Sequence, residues 1–232
     1  MDIIPVIDLL HGQVVHARRG ERECYRPIVS SLCRTSAIEA IVQGLLGLYP
    51  FKKLYIADLG AITGQGDHAP DIRHLRQTYP QLEIWLDGGF TTQTSVSSWH
   101  ALGVHCVIGS ERLESPTHYR ALAGATPDAI LSLDFSGACL LGPAALQQLP
   151  EDWPRQVICM TLDRVGSNAG PDLPRLRRLM AIAPSCHWYA AGGIRGIDDL
   201  NDLRLAGVSG ALIASALHDG RISRQQLDAF YQ

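Results

Sequence analysis

Four aspartates each close a short apolar run: Asp8 after Ile3–Ile7, Asp58 after Leu54–Ala57, Asp87 after Leu82–Leu86, and Asp134 after Ala129–Leu133. Asp163 stands just beyond a fifth run, Val157–Leu162. Carboxyls at the carboxyl ends of parallel barrel strands are well placed for catalysis. A protonated and an ionised carboxyl, set apart by environment, can share acid–base work on a sugar. The acid helps open a ring oxygen while the base moves a proton from carbon. First and fifth strands face each other across an eight-stranded barrel, so Asp8 and Asp134 are the expected pair. Asp163 is the third catalytic candidate. Asp58 is expected among the further substrate contacts, and Asp87 suits chemistry or structural pairing equally.

The elements that would position these groups follow one grammar. The run His187–Ala191 ends on Gly192-Gly193, where amides can approach an anion with no Cβ in the way. Ile197, Leu200, Leu203 and Ala206 then recur at helical spacing, Asp198 and Asp199 favour the helix start, and Gly207 stops it. A second run, Ala211–Ala214, ends at Ser215. The same order appears earlier, from Leu82–Leu86 through Gly88-Gly89 and Gly103 to a run ending on Gly109-Ser110. Gly88 precedes Gly103 by fifteen residues, as Gly192 precedes Gly207. Matched spacing points to an internal duplication in which each half carries an anion cup. The expected phosphate contacts are Gly88, Gly89, Gly109 and Ser110 in one cup. Gly192, Gly193, Ala214 and Ser215 form the other, with Arg195 beside it.

Strand and helix alternate eight times along 232 residues, near the usual length of one barrel. The pattern predicts an α/β fold, a (β/α)8 TIM barrel built from two duplicated (β/α)4 halves, as a single domain over 1–232. A hairpin over 13–18 is expected in the first loop, where His11, His16 and Arg18 are candidate substrate contacts. The glycine-rich stretch 60–67 reads as a mobile loop, and the helix between Gly137 and Trp153 as stunted.

Composition removes several function classes. A net charge of −3 without any Lys/Arg-rich tract does not suit nucleic acid. No apolar run approaches membrane-spanning length and no signal-peptide pattern opens the chain, so a cytoplasmic protein is expected. Six cysteines lack a C-x-x-C pair, and no histidine pair has metal spacing, so neither a metal nor any other cofactor is expected. Lys52 and Lys53 are the only lysines and precede a strand, which disfavours a Schiff-base aldolase. Serine hydrolysis lacks a nucleophile elbow. The expected partner is a small phosphorylated substrate; a partner subunit does not follow from the residues.

The segments Ile3–Val15, Tyr55–Ala61, the two Gly-Gly turns, Val107–Ser110 and Gly207–Leu217 together resemble the HisA/HisF family, the phosphoribosyl isomerase and cyclase barrels of histidine biosynthesis. The resemblance covers nearly the whole chain. It implies a substrate with a phosphate at each end, held by the two cups, and catalytic roles for Asp8 and Asp134. Its family reaction is an aldose–ketose (Amadori-type) isomerisation of a phosphoribosyl aminoimidazole carboxamide.

The departures define alternatives. Aligned on Gly166 and Gly170, the catalytic carboxylate of the isomerases after the sixth strand is replaced by Val165, so Asp163 would have to compensate from an offset position. The isomerases' Gly-Gly-Gly-Ile-Arg after the third strand is here Asp87-Gly88-Gly89-Phe90-Thr91. An Ile-Arg appears instead at Ile194-Arg195, and Ala214-Ser215 stands in place of Gly-Lys. These changes resemble a divergent HisA/HisF-related branch associated with one-carbon and methanopterin metabolism. A non-catalytic phosphate-ligand-binding protein is the reading from another class.

Overall fold

The computed structural model describes residues 1–18 and 21–232, with Arg22 described by its backbone alone. Strand β1 (Asp2–Leu10) turns back into β2 (Gln13–His16), which pairs antiparallel with β3 (Arg26–Pro27). The chain then alternates through α1 (Ile38–Leu48), β4 (Lys53–Asp58), α2 (Leu59–Thr63), α3 (Ala69–Thr78) and β5 (Glu83–Asp87). The run continues with α4 (Gln93–His100), β6 (His105–Gly109), α5 (Pro116–Ala123) and β7 (Ile130–Ser136). After β8 (Cys139–Leu140), a hairpin partner of β7, come β9 (Gln156–Thr161), α6 (Leu173–Ile182) and β10 (His187–Ala191). The last elements are α7 (Ile197–Leu205), β11 (Gly210–Ile213), α8 (Ser215–His218) and α9 (Arg224–Phe230).

Eight of these strands, β1, β4, β5, β6, β7, β9, β10 and β11, pair in parallel, and β11 returns to β1 to close the barrel. This is the (β/α)8 barrel expected from the alternation, with four barrel strands in each half. Pro5 falls where β1 hands over from β11, paired through residues 2–5, to β4, paired through residues 6–9. Its missing N–H is tolerated at that changeover.

Successive strand residues point to opposite faces, which separates two apolar layers. Outward residues such as Ile3, Ile7, Leu54, Ile84 and Leu131 pack beneath the helices. Inward residues Ile4, Tyr55, Trp85, Val107, Ile130, Ile158, Tyr189 and Leu212 fill the barrel itself. At its floor Trp85 meets Tyr189 edge-on with ring centroids 4.8 Å apart. The Lys53 ammonium lies 5.2 Å from the Trp85 ring and 2.7 Å from the Asp2 carboxylate. Lys53 therefore seals the lower end of the barrel, away from the strand-top carboxylates.

Two sequence expectations change in detail. Residues 59–63 form helix α2 rather than a loose loop, because the Asp58 carboxylate caps it by accepting from the Ala61 N–H. The helix expected after the fifth barrel strand is replaced by two 3-10 turns, Ala144–Gln148 and Pro150–Asp152. Trp153 anchors them, its indole N–H donating to the Leu146 carbonyl while its ring meets Trp188 edge-on.

Candidate active site

The carboxyl ends of the barrel strands surround a cavity of about 330 Å³. Strand parity decides which aspartates reach it. Asp8 shares the inward face with Ile4 and Val6, Asp87 with Trp85, and Asp134 with Ile130, and all three line the cavity together with Glu111. Asp58 follows the inward Ala57 and so lies one residue out of phase.

The Asp58 carboxylate instead accepts from the Ala61 N–H, the His68 N–H and the His68 ring at Nδ1. The other ring nitrogen of His68 accepts from the Gly12 N–H at 3.0 Å. Asp58 thus anchors the first hairpin through His68, a buried residue that carried no signal in the sequence. Asp58→Ala is expected to cost about 1–3 kcal/mol of stability, the scale of an orphaned buried partner, and to leave kcat unchanged. Denaturant titration beside steady-state kinetics checks this. Lost kcat at unchanged stability would make Asp58 a substrate contact after all.

Asp134 is held by three donors: the Ser132 hydroxyl at 2.6 Å, the Ser110 hydroxyl at 3.3 Å and the Glu111 N–H at 3.3 Å. Burial and the neighbouring Asp87 charge nevertheless push its carboxyl up to about 7. Burial, with Asp87 again adding, also pushes Asp8 up to about 7. Tyr55, on the cavity floor, directs its hydroxyl at the Asp87 carboxylate 3.3 Å away. Its own ionisation is driven well above the ordinary range by burial and by Asp87, Asp134 and Asp8. The floor is therefore a cluster of interacting carboxyls around a neutral phenol.

The remaining candidates divide. Asp163 is exposed and bonds the Ser136 hydroxyl and the Gly137 N–H, so it ties the β7 turn and does not line the cavity. Val165, at the aligned position of the absent carboxylate, does line it. Arg195 forks onto Asp199 through Nε at 3.0 Å and Nη2 at 2.6 Å, which fixes the start of α7. His11 sits at the exposed hairpin tip with a positive φ of 50°, and Arg18 is exposed beyond β2; neither borders the cavity. His16 does approach it, its Nε2 lying 3.2 Å from the Ser215 hydroxyl. Glu111 and Tyr55 escaped the sequence reading, one outside any motif and the other inside an ordinary strand.

The two cups differ. Gly192, Gly193, Ala214 and Ser215 all border the cavity. Gly192 and Gly193 have φ of 102° and 84°, and a Cβ on either would strike the carbonyl of Thr161 or of Gly170, so these positions require glycine. Gly88, Gly89, Gly109 and Ser110 are not among the lining residues. Ser110 is fully buried, with Gly142 packed against its carbonyl, and Gly89 packs on the Ile62 backbone.

A closed eight-stranded barrel with inward carboxyls at its strand tops defines a TIM-barrel enzyme. The histidine biosynthesis protein family model matches residues 2–223, and the chain belongs to that family. It is 26% identical over 230 residues to an uncharacterized protein of Methanocaldococcus jannaschii, covering 98% of this chain and 97% of that protein. It is 28% identical over 241 residues to a phosphoribosyl imidazole carboxamide isomerase of Symbiobacterium thermophilum, covering 96% of this chain and 93% of that enzyme. The corresponding isomerase of Nitratidesulfovibrio vulgaris is 30% identical over 240 residues, covering 96% of this chain and 93% of its own. The barrel is of the isomerase type. No helix among the described residues is long and apolar enough to cross a membrane, and none of their His, Cys, Asp and Glu side chains cluster as a metal site.

Proposed function

We propose that this barrel isomerises a small phosphorylated aldose derivative by acid–base chemistry between Asp8 and Asp134, a reaction of the aldose–ketose type. The observation that carries this reading is the inward pair itself. Two carboxyls from opposite strands, each pushed up to about 7, face one cavity. Near neutrality such a pair holds about one proton between its two members. The protonated member gives its proton to the ring oxygen as the C–O bond breaks. The ionised member takes the proton from the adjacent carbon, leaving an enol-type intermediate. Return of a proton to carbon and loss of one from oxygen then completes the ketose and restores the pair. The ligand's phosphate rests at Gly192, Gly193, Ala214 and Ser215, with His16 beside Ser215. The isomerases among the relatives support the reaction class, and the intracellular sugar-phosphate setting this implies is cytoplasmic.

Val165 supports a second reading, in which the divergent chain runs a different reaction on a related phosphorylated substrate, as in one-carbon or methanopterin metabolism. A steady-state assay with the histidine-pathway aminoaldose, beside Asp8→Asn, separates the two. Turnover that Asp8→Asn abolishes establishes the isomerase. No turnover of the aminoaldose, with turnover of another phosphorylated substrate that Asp8→Asn abolishes, establishes the changed reaction. For whichever substrate turns over, kcat/KM is expected to follow a bell centred near pH 7, because the acid and the base both titrate there. A profile that keeps rising past pH 9 would remove the carboxyl pair from the mechanism.

A further inference from the structure

The duplicated sequence offers two anion cups, but in the first half the chain's own carboxylates occupy the donors. The Gly89 N–H gives its hydrogen bond to Asp87 Oδ1 at 3.1 Å. The Ser110 hydroxyl and the Glu111 N–H both give theirs to Asp134 Oδ2 at 3.3 Å. Gly109 marks the junction: a Cβ there would lie 3.2 Å from Asp134 Oδ2 and 3.5 Å from Asp87 Oδ2. The absent side chain at 109 makes room for two carboxylates, not for a ligand's phosphate.

Asp87 is central to this arrangement. It ends β5, faces the cavity and, by accepting from the Gly89 N–H, fills the first-half cup. Ile62, which itself lines the cavity, covers Gly89, and Gly142 packs against the Ser110 carbonyl. In the second half, Gly192, Gly193, Ala214 and Ser215 border the cavity themselves, and the groups beside Ala214 and Ser215 are Asp8 and His16.

Resting on the phosphate reading of the second cup, we infer that the substrate is a phosphomonoester whose far end carries hydrogen-bond donors, hydroxyl or amine, and no second phosphate. Its phosphate lies at Gly192-Gly193 and Ala214-Ser215, and its far end donates to the carboxylates of Asp87 and Asp134. A second phosphate at that end would find its donors engaged and two carboxylates in its place. Like charges so close in a partly enclosed site repel strongly.

Calorimetric titration of the whole protein at pH 8 with ribose 5-phosphate, ribulose 1,5-bisphosphate and inorganic phosphate tests this. Ribose 5-phosphate is expected to bind at least about tenfold more tightly than the bisphosphate, and inorganic phosphate to compete with it. Asp87→Asn, confirmed as folded by circular dichroism, is expected to narrow the ratio between the two sugars. Ser215→Glu is expected to abolish ribose 5-phosphate binding by placing a carboxylate in the open cup. Equal or tighter binding of the bisphosphate to the unaltered protein would overturn the inference and leave the acid–base reading intact. Failure of every probe to bind, with or without Ser215→Glu, would overturn the phosphate reading and this inference with it.

Discussion

Asp8→Asn is expected to lower kcat by about 100- to 10,000-fold, the range of a lost general acid or base, while ligand binding persists. The same substitution is expected to make the protein more stable at pH 8. The sign follows from the direction of the shift. Burial and Asp87 raise the folded-state value of Asp8 from 3.8 to about 7. Between those values the folded carboxyl keeps its proton while the unfolded one has lost it, so rising pH favours the unfolded chain. The native protein's disadvantage relative to Asn is absent below about pH 4, grows through pH 7 and then levels, reaching a few kcal/mol at most. At about 2–4 °C per kcal/mol for a chain of this size, that is a Tm rise of several degrees at pH 8 which vanishes near pH 4. Thermal melts across pH, beside steady-state kinetics, read both arms. Lost turnover with an equally lowered Tm at pH 8 would mean that Asp8 is a structural residue.

Trp85→Ala is expected to carry the largest cost in stability. Trp85 is fully buried at the barrel floor, packed edge-on against Tyr189 and under the Lys53 ammonium. Removing an indole from such a site costs about 3–5 kcal/mol, the sum of lost transfer energy and the cavity left behind. Urea titration should show a midpoint lowered at unchanged slope, which separates a stability change from a change in the denatured state. Because Trp85 lies in the layer beneath the strand-top carboxyls, phosphomonoester binding to the remaining folded protein should persist at low temperature. A loss below about 1 kcal/mol would show that the floor repacks readily, contrary to the close fit of its rings.

The barrel and the inward placing of Asp8 and Asp134 were legible because both rest on local pattern. Apolar runs at even spacing mark the strands, and an aspartate closing a run marks its exposed end. Asp58 bears the same signature as Asp87, yet their roles diverge. Alternation along the strand separates them: Ala57, in phase with Tyr55, takes the inward place before Asp58, whereas Asp87 is itself in phase with Trp85. Parity counted from the bulky inward residue would have placed Asp87 in the cavity and Asp58 outside it. Other features lay beyond any local pattern. The covering of Gly89 and Ser110 depends on Ile62 and Gly142, which come from outside the matched strand and glycine-turn segments. The anchoring of the hairpin depends on His68, whose partners Gly12 and Asp58 are brought to it by the fold. Glu111 reaches the cavity from the turn after β6, and only the closed barrel brings that turn to the rim.

The sealed floor also governs traffic. With Trp85, Tyr189 and Lys53 filling the lower end, the chamber is entered from the strand tops, and whatever arrives there departs the same way. A product still in the chamber therefore blocks its successor. Such an enzyme works strictly one visitor at a time, and nothing can be handed from one end of the barrel to the other.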